Sequence, residues 1–96
     1  MSLDYFDQII KRLSREDLTV LEILRDRQAT LAKSSMSMDK LQHESEMSRA
    51  LLRKTVYRLN ANYFIESEAN NRNQSYFLTS YGDQALTKIK EIEGGI

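Results

Sequence analysis

Apolar residues recur along the chain in two different rhythms. Leu3, Phe6, Ile10 and Leu13 lie three or four residues apart, the spacing of one helix face, and predict a first helix over about Leu3 to Leu13. Ser14 then reads as a helix N-cap with Asp17 three residues on, a short form of the capping box. The helix it starts turns Leu18, Leu21, Ile23 and Leu24 inward, with Leu31 as a candidate beyond them. Its end is open in the sequence, since Gln28 to Ser35 suits either more helix or a loop. Ser37 caps a short helix, Met38 to about Glu44, anchored by Leu41, and Glu44-Ser45-Glu46-Met47 reads as a turn. Ser48 caps a fourth helix whose inward stripe is Leu52, Val56 and Leu59, flanked by Leu51 or Thr55.

After Asn60-Ala61-Asn62 the rhythm shortens. Phe64-Ile65 opens a strand that runs toward Ala69, Asn70 to Gln74 has turn chemistry, and Ser75 to Leu78 is a second strand, so the pair reads as a β-hairpin. Thr79 or Ser80 caps a last helix to about Ile92, striped by Tyr81, Ala85, Leu86, Ile89 and Ile92, and Gly94-Gly95 ends it. The expected class is mainly α with a small β-hairpin wing: helix, helix, short helix, turn, helix, hairpin, helix. There is no proline, and glycine occurs only at 82, 94 and 95, so nothing divides residues 1–96 into more than one domain.

Charge sharpens the picture. The total is zero, 14 basic against 14 acidic residues, but the distribution is uneven. Between Ser48 and Asn60 stand Arg49, Arg53, Lys54 and Arg58 with no acid among them. A basic helix after a short helix and a turn, followed by a hairpin, is the plan of a winged helix-turn-helix. The major groove admits one α-helix, the preceding helix buttresses it, and the hairpin reaches the neighbouring minor groove or phosphates. With Leu52, Val56 and Leu59 inward, Arg49, Ala50, Arg53, Lys54 and Tyr57 fall on the outer faces. Arg53 is then expected to read a base edge, with Arg49 and Lys54 on phosphate. Ser48 and Arg49 would offer N-terminal N–H groups to a phosphate. The contrary reading is an ordinary solvated helix surface.

From Met36 to about Ala85 the chain resembles the MarR-type winged-helix regulators. Met36 to Leu41 is similar to the family's start of the helix-turn-helix, Leu51 to Leu59 to its recognition helix, and Phe64-Ile65-Glu66 to the strand after it. Asn70 to Thr79 resembles its wing, and Leu78-Thr79-Ser80-Tyr81-Gly82 its L-T-x-x-G segment. The chain departs from the family where Asn70 replaces a wing aspartate and where Tyr63 stands at a position that favours glycine, so Asn62 or Tyr63 is expected to take the strained angles of that turn. Family members are also usually longer, with extended terminal helices. The resemblance implies a DNA-binding role and places Arg72 at the wing arginine, where it would meet phosphate or enter the minor groove.

A small domain gains little margin from burial alone, and with no cysteine no disulfide can help. Pairing with a second copy is the remaining route. The two terminal stripes, Leu3, Phe6, Ile10 and Leu13 with Tyr81, Ala85, Ile89 and Ile92, are expected to pack together and against their copies in a homodimer. The alternative is that they cover each other within one subunit. A two-fold dimer would set two recognition helices about 34 Å apart.

Other chemistries find little support. His43 is the only histidine, too few ligands for a metal site. The serines lack a positioned base, and no glycine-rich phosphate loop is present, so no catalytic constellation, cofactor or metal is expected. Met36, Met38 and Met47 suit the filling of gaps between helices. They also admit an apolar ligand, although nothing else supports a small-molecule effector. No segment approaches the roughly 20 apolar residues of a membrane span, and the N-terminus does not read as a signal peptide, so a cytoplasmic setting is expected. The leading expectation is sequence-specific binding of double-stranded DNA by a homodimeric, repressor-like transcriptional regulator. A plasmid or phage protein marking a replication or partition site would use the same chemistry. A winged-helix module for protein contact is the alternative from another class.

Overall fold

A computed structural model describes residues 5–70 and 73–94 of the chain. The helices are α1 (Tyr5–Ile10), α2 (Arg15–Asp26), α3 (Met38–Ser45), α4 (Arg49–Ala61) and α5 (Ser80–Gly94). The strands are β1 (Met36–Ser37), β2 (Ile65–Asn70) and β3 (Asn73–Leu78). They form an antiparallel sheet in the order β1-β3-β2, which makes β2 an edge. The expected class holds, a mainly helical winged helix-turn-helix, with a third strand added to the hairpin.

Several boundaries differ from expectation. The first helix stops at Ile10, where the Arg12 and Leu13 N–H groups turn back to the Ile9 and Ile10 carbonyls (3.0 and 3.2 Å), three residues away rather than four. Leu3 lies outside the described residues. Strand pairing continues to Asn70 opposite Asn73, so the wing turn is shorter than Asn70 to Gln74, and Phe64 precedes the strand. β1 was not legible because two residues carry no rhythm. It forms because Met36 and Ser37 pair with Tyr76 and Ser75, beside a Ser35–Ser75 hydroxyl contact of 2.6 Å.

The end of α2 is set by a turn that the sequence left open. Gln28 takes a left-handed φ of 57°, its N–H donates to the Arg25 carbonyl (3.0 Å), and the Ala29 N–H donates to the Leu24 carbonyl (2.8 Å). This is a Schellman cap on a residue other than glycine. It turns the Ala29 carbonyl to accept the Leu78 N–H at 2.7 Å, tying α2 to β3. Leu31, beyond the cap, is 58% exposed and belongs to no helix face.

The end of α4 repeats the device. Tyr63 has φ 65°, and Tyr63 and Phe64 donate to the Asn60 and Leu59 carbonyls (3.1 and 3.0 Å). The strained position therefore falls on Tyr63 itself. The turn is welded to the start of α5. The Thr79 N–H and hydroxyl both donate to the Phe64 carbonyl (3.2 and 3.0 Å), and the hydroxyl also reaches the Tyr63 carbonyl (2.7 Å) while accepting the Gly82 N–H (3.0 Å). Thr79 is thus the cap of α5. A Cβ at Gly82 would lie 2.1 Å from the Phe64 carbonyl oxygen and 2.8 Å from Leu78 Cδ1, so this approach excludes any side chain.

The core is one cluster shared by all five helices and the sheet. It includes Ile10, Val20, Leu21, Leu24, Leu41, Leu52, Val56, Leu59, Phe64, Ile65, Leu78, Ala85 and Leu86. Tyr81 stacks on Phe64 (centroids 5.0 Å apart) and meets Phe6 at a tilt (4.9 Å). Ile10, Ala85 and Ile89 of the terminal stripes are buried within the one subunit.

Two substitutions test this geometry by urea denaturation. Gly82→Ala forces backbone apart and should cost about 1–3 kcal/mol. Tyr63→Gly relieves a left-handed backbone at a side chain that is 74% exposed, and should stabilise the fold by about 0.5–1 kcal/mol, net of glycine's entropy. A neutral Gly82→Ala would mean that α5 is not seated on the Phe64 carbonyl.

Candidate nucleic-acid interface

The face of α4 follows from its sequence. Leu52, Thr55, Val56 and Leu59 are buried, and the Thr55 hydroxyl is satisfied by donating to the Leu51 carbonyl one turn back (2.9 Å). Thr55 rather than Leu51 flanks the inward stripe, since Leu51 remains 39% exposed. The Ser48 hydroxyl caps the helix by accepting the Leu51 N–H (3.2 Å). Ser48, Ala50, Arg53, Lys54, Tyr57 and Arg58 are exposed, and Arg49 is half-buried. Tyr57 is 78% exposed.

The four cations of α4 divide into two pairs. Arg58 reaches back to α2, donating to Asp17 Oδ1 (2.6 Å) and to the Ser14 hydroxyl (3.4 Å). Asp17 is 1% exposed, and its other oxygen accepts the Ser14 N–H (2.8 Å) while the Ser14 hydroxyl accepts the Asp17 N–H (3.2 Å). The expected capping box is therefore present, and it also receives Arg58. At the other end of α4, Arg49 pairs with Asp39 in the first turn of α3. Arg53 and Lys54, both exposed, enter no ion pair or side-chain hydrogen bond among the described residues. Sequence reasoning assigned all four cations to DNA, Arg53 to a base edge, Arg49 and Lys54 to phosphate, and Arg58 as a further DNA-binding residue. The missed residues are Asp17 and Asp39, acids that the fold brings to the helix from 41 and 10 positions away.

The base of the wing adjoins this face. Tyr76 on β3 is buried and donates from its phenol to Gln74 Oε1 (2.9 Å). Burial pushes its phenol above the ordinary value, and the Arg53 cation partly offsets that. Glu66 and Glu68 on the edge strand are exposed. Arg72, the expected wing contact, lies outside the described residues.

The short helix that buttresses α4 is itself fixed. Ser37 caps it through the Lys40 N–H (3.1 Å), and Glu46 ends it with φ 61°. Glu44 binds Arg27, the C-cap of α2, through both oxygens (2.8 and 2.7 Å). That hydrogen bond holds the Glu44 carboxyl below its usual range. His43 is exposed, and no cluster of three metal-binding side chains occurs among the described residues. Of the terminal stripes, Phe6, Leu13 and Tyr81 are half-buried and Ile92 is 54% exposed.

Comparison with known proteins bears on this face. The DNA-binding protein TubR of Priestia megaterium is 31% identical over 83 residues, 86% of this chain and 82% of its own length. The solved structure of TubR from Bacillus megaterium pBM400 superposes with a TM-score of 0.85 at 30% identity, covering 91% of this chain and 97% of that one. A Staphylococcus aureus MepR–DNA complex shares the fold at a TM-score of 0.74 and 13% identity, covering 93% and 73%. No family model matches the chain.

The two classes of α4 cation should separate in stability measurements. Arg58→Ala strands the buried Asp17 carboxylate and should cost about 1–3 kcal/mol, discounted for the part-exposed arginine. Lys54→Ala should stay within about 0.5 kcal/mol. Equal effects in urea titrations would contradict the division.

Proposed function

Because the chain belongs to the family of the DNA-binding protein TubR, we propose that it binds double-stranded DNA sequence-specifically, as a homodimer that regulates transcription. The observation that carries this reading is the pair Arg53 and Lys54, two exposed cations that enter no ion pair or side-chain hydrogen bond among the described residues, on the helix beside the wing. A solvated helix face needs no such sorting of its charges. In the major groove Arg53 meets base edges, where its planar fork fits the O6 and N7 acceptors of guanine. Lys54 holds phosphate, Tyr57 lies along the sugar-phosphate wall, and Arg72 supplies the wing contact. The MarR-type resemblance of Met36 to about Ala85 adds support, since it implies a DNA-binding role. The chemistry is binding rather than catalysis, and it places the protein with DNA in the cytoplasm. Among the described residues no helix is long and apolar enough to cross a membrane.

The TubR relative from pBM400 favours a second reading with the same contacts, a plasmid or phage DNA-binding protein that marks a replication or partition site. Genomic mapping of bound DNA separates the two, by isolated promoter sites against clustered repeats. A second copy of the chain would cover Phe6, Leu13, Tyr81 and Ile92, the part of the terminal stripes that one subunit leaves open.

Binding to a duplex should weaken steeply between about 50 and 200 mM salt, as counterions are released. Lys54→Ala should lower affinity on all sequences and flatten the salt dependence, while Arg53→Ala should cost about 1–3 kcal/mol and relax preference at one position. If neither variant loses affinity, the basic helix is a solvated face and the protein-contact reading takes its place. Sedimentation at micromolar concentration should give a dimer that Ile92→Asp weakens. A monomer alone would refute the pairing.

A further inference from the structure

Arg49 and Asp39 form an ion pair that stability does not explain. Asp39 is 85% exposed in its side chain and Arg49 40%, and a pair this wet contributes about 0–1 kcal/mol. Asp39 is not needed to cap α3 either, because the Ser37 hydroxyl already accepts the Lys40 N–H. Nor does its position suit the face. An exposed carboxylate beside the start of a recognition helix repels phosphate, and it removes one of four cations from a chain whose net charge is zero. As a first-turn acid Asp39 complements the α3 dipole, but that role calls for no partner on α4, and the pairing with Arg49 invites a reason connected with DNA.

Its geometry supplies one. Residues at the start of a recognition helix approach base edges most closely. A guanidinium has five N–H donors in a rigid plane, so a carboxylate on one edge leaves the rest free. Held by Asp39, the arginine loses the freedom to swing onto a phosphate and keeps the donor pair that matches two acceptors of one base. Resting on the DNA-binding reading above, we propose that Asp39 is a specificity-determining residue: it holds Arg49 for a base edge, guanine by its O6 and N7 acceptors, and withholds it from phosphate. This moves Arg49 from the phosphate office that its sequence position suggested to that of a second reading residue beside Arg53. It also gives the site its discrimination. A free cation binds every sequence alike, whereas a restrained one gains only where the acceptors lie in its plane, and elsewhere leaves Asp39 facing the DNA uncompensated.

The test is selection of duplexes from a random 20-base-pair library, sequenced after binding, for the full chain and for Asp39→Asn, Arg49→Ala and Arg49→Lys. Affinity for the unselected pool is measured alongside at several salt concentrations. The wild-type chain is expected to enrich a motif containing guanine at a position that all three variants lose, with discrimination there reduced about tenfold. Asp39→Asn is expected to bind the unselected pool as tightly as wild type or tighter, with a steeper salt dependence, because Arg49 is released to phosphate. Arg49→Lys keeps the charge but loses the plane, so it should lose the guanine preference. A wild-type motif that Asp39→Asn leaves intact, with unchanged salt dependence, overturns this inference and leaves the DNA-binding function standing. A wild-type chain that enriches no motif overturns both. Both side chains are surface groups, and unchanged melting of the variants checks that the fold is kept.

Discussion

The buried carboxylate of Asp17 is the constraint on which the site depends. A carboxylate that is 1% exposed is costly unless its oxygens are satisfied. Here one oxygen closes the capping box of α2 and the other accepts Arg58 of α4. The start of one helix and the last turn of another are thereby fixed to each other by a charged hydrogen bond of specific geometry, not only by interchangeable apolar contact. α2 carries the same role toward its other neighbours. Arg27 binds Glu44 of α3, Glu22 binds Lys90 of α5, and Arg25 grips the Asp83 carboxylate, its carbonyl and the Thr87 hydroxyl of α5. α2 is a mast to which the three other long elements are stayed, and the face of α4 is aimed by that arrangement. Such pre-orientation matters for reading DNA, because a recognition helix free to roll would meet the groove with whichever charges came first.

The balance of charge acquires a meaning from the same contacts. A chain of zero net charge is a weak general attractant for nucleic acid. Its basic helix narrows further, since two arginines are engaged by acids from α2 and α3. What remains is a small field, Arg53 and Lys54, with Arg49 restrained at its edge. Low background attraction and oriented donors both favour discrimination over raw affinity. The exposed Glu66 and Glu68 at the wing work in the same direction.

Most of the fold was legible because helices and strands advertise themselves by period. Ser14, Ser37 and Ser48 were readable as caps, and each accepts the backbone N–H three residues on. Tyr63 was suspect from its place in a glycine turn, and it is left-handed. The misses have physical reasons. Left-handed caps at Gln28 and Glu46 use residues with no turn signature, so the end of α2 could not be placed. β1 is too short for a period and exists only through β3. Burial of Ile10, Ala85 and Ile89 within one subunit depends on how the terminal helices fold onto the core, which an apolar stripe does not state. The sorting of α4's cations was least accessible of all. Whether an arginine is free depends on acids delivered by tertiary packing, and Asp17 and Asp39 look in the sequence like ordinary first-turn acids.

The central claim is that one face of α4, aimed by its bond to α2, is the surface that meets DNA. Backbone amide shifts of the labelled protein, followed as a duplex selected from random sequence is titrated in, address it residue by residue. The account predicts the largest changes from Ser48 to Tyr57 and in the wing strands, with the buried face of α2 around Val20 and Leu24 nearly silent. Changes centred on α1 and α5, with α4 unmoved, would contradict it.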